Sequence, residues 1–192
     1  MKNISVLLFL LITLALNAQN NKTSGLNARQ FHKYWKVESE SPDYKVTFLG
    51  DTVEILSPKG LTLWRKEKMS GKVTIEYDAC VVVEVEGDRL SDLNCFWMAS
   101  DPQYPDNIWK REKWRSGIFL NCYSLQLYYM GYGGNHNSTT RFRRYDGNEA
   151  AITNAKARPA ILKEYTDADH LLEANKWYHC LLYTSPSPRD AH

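Results

Sequence analysis

The stretch "GKVTIEYDACVVVEVEGD", residues 71–88, decides the fold class. One face of the predicted strand carries Val73, Ile75, Tyr77, Ala79, Val81, Val83 and Val85. Thr74, Glu76, Asp78, Glu84 and Glu86 fall on the other face, along with Cys80 and Val82. A repeat of two residues is that of a β-strand, because successive side chains point to opposite faces of a sheet. The stretch therefore predicts one long, half-buried strand.

Short β-branched and aromatic runs separated by turn residues lie on both sides of this strand. We predict further strands at residues 44–50, 52–57, 60–66, 92–100, 116–123, 124–132 and 139–146. Residues 150–157 are small and polar and predict a loop or a short helix, and residues 167–179 predict one helical turn followed by a strand. Many short strands without a long amphipathic helix favour an all-β sandwich or barrel.

The first residues have the features of an export signal. A short basic start precedes an almost wholly apolar run from Ile4 to Leu16, and Ala18 offers a small residue for cleavage. The run is short for a membrane span, which needs ~20 residues. We predict a signal peptide over residues 1–18 and a flexible leader over residues 19–30. The mature chain is then secreted or periplasmic, with no membrane contact after cleavage.

The other end changes character abruptly at Cys180. The segment "CLLYTSPSPRD", Cys180 to Asp190, resembles the translation of a sequencing adapter residue for residue. We interpret residues 180–192 as non-native read-through, since such scars are excluded from fold reasoning. Residues 31–179 then form one incomplete domain, which in the intact protein continues into further strands.

Composition excludes several functional classes. The formal net charge is +2 and no block of like charges occurs, which argues against a nucleic-acid partner. Cys80, Cys95 and Cys122 lie in apolar strand-like runs, so we predict buried free thiols. The chain has no Cys-x-x-Cys pair for zinc, no phosphate-binding glycine loop and no nucleophile elbow.

Several pieces of the chain together resemble a known family. The export signal followed by "KVTIEYDACVVVE", "DLNCFWMASDP", "SGIFLNCY", "LYYMGYGGNHNSTTRFRRYDG" and "NKWYH" is similar to a family of secreted bacterial proteins with a concanavalin A-like jelly-roll fold. That family resembles domains found among polysaccharide-degradation genes. The resemblance implies a jelly-roll β-sandwich that binds a polysaccharide or oligosaccharide. It leaves enzymes and non-catalytic binding modules both open, because one fold hosts many functions. A structural envelope protein is a third alternative.

The segment "YYMGYGGNHNSTTRFRRYDG", Tyr128 to Gly147, contains most of the candidate site. Sugars bind to flat aromatic faces and to planar polar groups. The candidate ligand-binding side chains here are Tyr128, Tyr132, Asn135, Asn137, Arg143 and Arg144. If residues 139–146 form a strand, Phe142 faces the core, Arg141 and Arg143 point outward, and Arg144 is pressed inward. An inward Arg144 needs an anionic partner, which Glu76, Asp78 or a ligand carboxylate could supply.

Two kinds of catalysis fit these residues. In a polysaccharide lyase, His136 or Tyr129 would remove a proton beside a uronic acid carboxylate, while Arg141 and Asn135 neutralise that carboxylate. The plainer alternative is an exposed loop histidine next to glycines that only form a turn. In a glycoside hydrolase, Glu76 and Asp78 would act as acid and base, about 7 Å apart on one strand face. The plainer alternative is a solvated strand face.

The remaining candidates follow the strand at residues 92–100. Trp97 is either a stacking platform for sugar or a core residue. Asp101, Asp106 and Asn107 offer oxygen ligands of the kind that Ca²⁺ prefers, so calcium is a possible cofactor and no other is predicted. Asp and Asn also occur in such turns for their own backbone reasons. We therefore predict an exported lyase or hydrolase acting on uronic-acid-containing glycans, with a non-catalytic carbohydrate-binding module as the alternative.

Overall fold

The computed structural model describes residues 6–11 and 28–184. The strands are β1 Val6–Leu11, β2 Trp35–Ser39, β3 Lys45–Leu49, β4 Thr52–Ser57, β5 Leu61–Arg65, β6 Val73–Val82, β7 Leu93–Ser100, β8 Gln126–Gly133, β9 Thr139–Asp146, β10 Ile161–Tyr165 and β11 Trp177–Thr184. Short helices are α1 Ala28–Tyr34, α2 Glu112–Arg115 and α3 Ala150–Thr153, and residues 134–137 form a turn in which Asn135, His136 and Asn137 have left-handed φ values. Turns of 3₁₀ helix cover Ile108–Arg111, Phe119–Ser124, Ala155–Ala157 and Ala168–His170. The prediction of an all-β fold is confirmed.

The strands of the described residues form three antiparallel sheets. The largest has the order β11-β6-β1-β4-β3, the second has the order β10-β9-β8-β7, and β2 pairs with β5 in a two-stranded ribbon. β5 and β7 each have one strand neighbour in the described part of the chain, and their other edges line one cleft.

Three apolar clusters hold these layers together. Ala79 and Val81 of β6 pack against Leu93 of β7 and against Leu172, which joins the two larger sheets. Phe31 of α1 packs against Val53 and Ile55 of β4 beneath the ribbon. The third cluster lies on the face of the four-stranded sheet opposite to Leu93. It contains Trp64, Cys122, Tyr123, Leu125, Leu127, Tyr129, Tyr145 and Ala151. Burial of each large apolar side chain stabilises the fold by about 1.5–3 kcal/mol.

The alternation in residues 71–88 is observed in the structure, but the strand is shorter than predicted. β6 ends at Val82, and Val85 is exposed. The chain turns here because the carboxylate of Asp88 accepts hydrogen bonds from the backbone N–H groups of Glu84 and Val85, at 2.8 and 3.0 Å. These bonds satisfy donors that a strand would otherwise pair with a neighbour.

The strand predicted at residues 116–123 is wrong. Gly117 has a φ of +69° and residues Phe119–Ser124 form 3₁₀ turns instead. An added Cβ at Gly117 would lie 2.5 Å from the carbonyl oxygen of Glu38, so the close approach of these two segments requires glycine. The turns place Cys122 and Tyr123 in the third cluster.

The ends of the chain differ in part from expectation. Residues 6–11 pair as β1 between β4 and β6, although the sequence predicts them as part of a signal peptide. The rest of that prediction, and residues 19–27 of the predicted leader, lie outside the described residues. Residues 28–30 begin α1 rather than a flexible leader. At the other end, β11 continues through Thr184, so part of the segment interpreted as read-through pairs with β6.

Two further predictions concern cysteines and membranes. Cys80, Cys95 and Cys122 are free thiols, and Cys80 and Cys122 are buried, as predicted. Burial raises the pKa of Cys122 to about 12, so this thiol stays protonated. Among the described residues, no helix is long and apolar enough to cross a membrane.

Candidate functional site

A cleft of about 1650 Å³ runs between the four-stranded sheet and β5. Because side chains alternate along a strand, the register of β8 and β9 decides which of them form its floor. Tyr129 pairs with Arg143 and Gly131 with Arg141, so these four residues share one face of the sheet. The cleft is lined on that face by Asn94, Tyr129, Gly131, Arg141, Arg143 and Tyr145.

The turn between β8 and β9 has an unusual backbone. Asn135, His136 and Asn137 all have left-handed φ values, of 53°, 58° and 57°. Residues other than glycine rarely adopt this conformation, and three in succession persist only where the surroundings hold them. The surroundings here include Leu172, whose backbone N–H and C=O both pair with the side chain of Asn137. The turn leaves His136 exposed at one end of the cleft.

Tyr129 is buried on the cleft floor and is fixed by two neighbours. Its hydroxyl donates to Oδ1 of Asn94 at 3.1 Å. Its ring lies over Gly131, where an added Cβ would be 1.9 Å from the hydroxyl oxygen. Burial raises the pKa of Tyr129 and the charge of Asp92 adds to this, while Arg143 and Arg141 act weakly in the opposite direction. A phenol that stays protonated is a hydrogen-bond donor, so the geometry does not support the predicted role of Tyr129 as a base.

The two arginines of the floor have different partners. Nε of Arg141 binds Oε1 of Glu164 on β10, at 2.5 Å. Nη1 of Arg143 donates to the backbone carbonyl of Pro159, and no carboxylate of the described residues pairs with it. Arg143 is therefore the floor cation whose charge remains available to a ligand.

Three of the predicted ligand-binding residues, Trp97, Tyr128 and Arg144, lie on the opposite face of the same sheet, although Trp97 of the edge strand β7 also lines the cleft. The rings of Trp97, Tyr128 and Phe142 stack on one another with centroids 5.8–6.0 Å apart. Arg144 shares this face and is exposed, so the prediction that it is pressed inward is wrong. Tyr128 lies opposite Arg144, so both residues are one position out of phase with Tyr129 and Arg143 and belong to the face away from the cleft floor.

Tyr132 also points away from the cleft floor, and Asn137 is not available to a ligand. The Tyr132 hydroxyl donates to the carbonyl of Leu171 at 3.2 Å, and its ring packs against Tyr178. Both polar atoms of the Asn137 amide are bound to Leu172. Asn135 remains exposed beside His136, with its amide donating to Ser138 at 3.0 Å.

Glu76 and Asp78 share one face of β6, as predicted, but His179 of β11 lies between them. His179 contacts Asp78 through Nδ1 at 2.8 Å and Glu76 through Nε2 at 3.4 Å. This face is the outer one, because Tyr77, Ala79 and Val81 of the same strand point to the core. Glu76 also borders the wide cleft, but within the described residues neither carboxylate pairs with Arg141, Arg143 or Arg144.

Two of the three predicted calcium ligands, Asp101 and Asn107, have other partners. Asp101 is fully buried and both of its oxygens accept from the guanidinium of Arg111, at 2.8 and 2.9 Å. Asn107 accepts from the backbone N–H of Trp109 and caps a 3₁₀ turn. In the described ranges, no group of three or more His, Cys, Asp or Glu side chains could hold a metal ion. The calcium hypothesis is therefore unsupported, because both oxygens of the Asp101 carboxylate already accept hydrogen bonds from Arg111.

Several residues of the cleft were missed by the sequence analysis. Asn94, Tyr123, Tyr145 and Glu164 belong to the floor or border it. Tyr145 could have been found, since it lies two residues beyond Arg143 on the same face of a predicted strand. The others depend on strand pairing and on 3₁₀ turns, which carry no local signal.

These features define an all-β protein with a cleft on one sheet face that is lined by cationic and aromatic side chains. The chain belongs to the family described as Domain of unknown function (DUF6250), whose model matches residues 55–188. The match covers most of the cleft and extends through Pro188, beyond the start of the segment interpreted as read-through. No curated protein and no solved structure matches the chain.

Proposed function

We propose that this chain is an exported protein with a jelly-roll sandwich that binds an acidic polysaccharide in the cleft and cleaves it as a lyase. The observation that carries the proposal is the placement of Arg141 and Arg143 side by side on the cleft floor, at the end of which His136 is exposed. Arginine binds carboxylates through a planar pair of N–H donors, which neutral sugars do not require.

The proposed chemistry is removal of a proton beside the carboxylate of a uronic acid. Neutral His136 takes this proton, the electron pair of the C–H bond forms a carbon–carbon double bond, and the glycosidic oxygen leaves with the electrons of its C–O bond and takes a proton from solvent. Negative charge builds up on the carboxylate in the transition state, where it is stabilised by Asn135 and by Arg141, which exchanges its contact with Glu164 for the ligand. The buried phenol of Tyr129 donates a hydrogen bond rather than accepting a proton.

A non-catalytic carbohydrate-binding module is the second candidate. A specific observation favours it: within the described part of the chain, no side chain pairs with the ring of His136. A base usually needs a partner that fixes its orientation and tautomer. The hydrolase alternative has less support, because Glu76 and Asp78 contact His179 on the outer face of the other sheet.

The test is a polysaccharide panel of uronic-acid and neutral glycans, assayed with the full chain. A lyase produces both new reducing ends and the ultraviolet absorbance of an unsaturated uronate. We expect His136→Ala and Arg141→Ala to abolish both signals. The matched controls are His32→Ala, at an exposed histidine of α1, and Arg144→Ala, on the opposite face of the sheet, and both should retain activity.

Each other outcome has a clear meaning. Reducing ends without ultraviolet absorbance would identify a hydrolase and overturn the lyase. Binding to one glycan without either product would identify the binding module. Loss of activity in Arg144→Ala but not in Arg141→Ala would show that the site lies on the face of the sheet that carries Tyr128, and would overturn the assignment to the cleft floor.

A further inference from the structure

The hydroxyl of Tyr145 is a buried polar group without a partner. The Tyr145 side chain is 1 % exposed, and its oxygen makes no hydrogen bond to any described residue. Buried hydroxyls nearly always have a partner, so each exception needs an explanation. The ring itself is fixed between Tyr123 and Tyr129, with centroids 4.8 and 5.5 Å away.

The unpartnered hydroxyl lies on the same face of β9 as an uncompensated cation. Arg143 is two residues before Tyr145 on this strand, and both line the cleft. Arg141 has Glu164 as its counterion, whereas Arg143 has no carboxylate partner among the described residues and donates to a backbone carbonyl. Arg158, which is exposed and lines the same cleft, places a second cation 5.8 Å from the ring of Tyr123.

We infer that Arg143 and the Tyr145 hydroxyl form a subsite for the carboxylate of a hexuronate unit. The guanidinium supplies charge and two parallel donors, and the phenol adds a neutral O–H donor to the same anion. Arg158 adds long-range attraction from the rim. The hydroxyl is closed to solvent in the free protein. A side chain next to Tyr145 therefore changes rotamer before the ligand contacts the hydroxyl, and such rotamer changes are common on binding.

The chemistry of the neighbouring groups supports a donor role for the phenol. Burial raises the pKa of Tyr145, and nearby Tyr123 and Tyr129 act in the same direction more strongly than Arg143 opposes them. The hydroxyl therefore keeps its proton at any physiological pH. This inference rests on the proposed function and deepens it, because it names the acidic group of the glycan that the cleft recognises.

The test compares hexuronates with their neutral counterparts by calorimetric titration of the full chain. The probes are D-galacturonate against D-galactose and D-glucuronate against D-glucose. We expect one of the acids to bind about tenfold more tightly than its neutral partner, and Arg143→Gln to abolish that difference. Tyr145→Phe should weaken binding of the acid about fivefold or more, while Arg144→Gln on the opposite face should change nothing. Inorganic phosphate serves as a further probe, and equal competition by phosphate would show a general anion site instead.

Thermal melting of Tyr145→Phe separates a ligand-binding hydroxyl from a structural one. Removing an unpartnered buried hydroxyl should leave the melting temperature unchanged or higher. A lower melting temperature with unchanged hexuronate affinity would overturn the inference, as would equal affinity for acid and neutral sugars. Hexuronate binding in a chain that is inactive on every polysaccharide would overturn the lyase and leave this subsite standing.

Discussion

The side-chain amide of Asn137 pairs with both backbone groups of Leu172. Its Nδ2 donates to the Leu172 carbonyl and its Oδ1 accepts from the Leu172 N–H, each at 2.8 Å. This pair fastens the β8–β9 turn to the segment that leads into β11. Since Leu172 belongs to the core between the two larger sheets, the position of His136 depends on that core.

The first prediction concerns this pair. Asn137→Ala leaves two backbone groups of Leu172 without a partner, which should lower the free energy of unfolding by about 1–3 kcal/mol. Urea denaturation measures the change. Asn135→Ala is the matched control, because Asn135 is exposed and bonds only within its own turn. A similar loss in both variants would show that the turn, not the anchor to Leu172, carries the stability.

Gly131 is required by the ring of Tyr129. An added Cβ would lie 1.9 Å from the hydroxyl oxygen and 2.4 Å from Cζ of Tyr129. We expect Gly131→Ala to lower the free energy of unfolding by about 1–3 kcal/mol through overpacking. The same substitution in a Tyr129→Ala background should cost little, and a double-mutant cycle measures the difference. Equal costs in both backgrounds would show that the two residues are independent.

Glu164 holds one floor arginine in a neutral pair. Glu164→Gln removes the counterion of Arg141, so we expect an acidic oligosaccharide to bind several-fold more tightly, by roughly 0.5–1 kcal/mol for one partly exposed charge. Titration calorimetry measures the affinity. The matched control is Glu173→Gln, which breaks a surface pair with Lys176 and should leave affinity unchanged. Weaker binding in Glu164→Gln would mean that this carboxylate contacts the ligand itself or holds Arg141 in its binding position.

The ion pair between Arg115 and Glu38 is almost fully buried. Arg115 donates to Glu38 at 2.7 and 3.2 Å and to the carbonyl of Ile108 at 2.8 Å. Glu38→Ala leaves an uncompensated buried charge and should lower the free energy of unfolding by about 3–5 kcal/mol. Glu40→Ala, which breaks an exposed pair with Lys59, should cost less than about 1 kcal/mol. Comparable losses at the two sites, measured by urea denaturation, would contradict the argument from burial.

The turn after β6 should make stability depend on pH in the acid range. Backbone N–H groups of Glu84 and Val85 lower the pKa of Asp88 below its ordinary value of 3.8. A group with a lowered folded pKa contributes stability that is present above its unfolded pKa and is lost as pH falls through the folded value. Asp88→Asn should therefore flatten the acid limb of a stability–pH curve. An unchanged curve would show that these hydrogen bonds do not persist in solution.

The strands could be predicted from sequence wherever a single local pattern decided the outcome. β6, β8 and β9 were found because one alternating run of side chains specifies a strand. The end of β6 was missed, since the stop signal is a side-chain bond from Asp88 and valines continue the pattern past it. Residues 116–123 were misassigned because apolar composition alone does not distinguish a strand from 3₁₀ turns.

The sequence predicted which segment of the chain contains the candidate site. It did not predict which side chains of that segment share the cleft face of the sheet. Arg141 and Arg143 were correctly placed together, but the cleft face also carries Tyr129 and not Tyr128. That choice depends on the register between β8 and β9, and a shift of one residue would exchange the two sets. Partners such as Glu164 come from a strand about 20 residues away and could not be read from local spacing.

Within the described residues, β5 and β7 each have one edge without a strand partner, and these edges give the cleft a second property besides its charge. A row of unpaired peptide groups is a template that an extended chain can extend, so such edges promote self-association. In the part of the chain that the structure describes, two such strand edges border the same opening as Arg143 and Trp64. Occupation of the cleft and colloidal stability are therefore linked: whatever fills the space between these strands also shields the surface through which one copy of the chain would adhere to another.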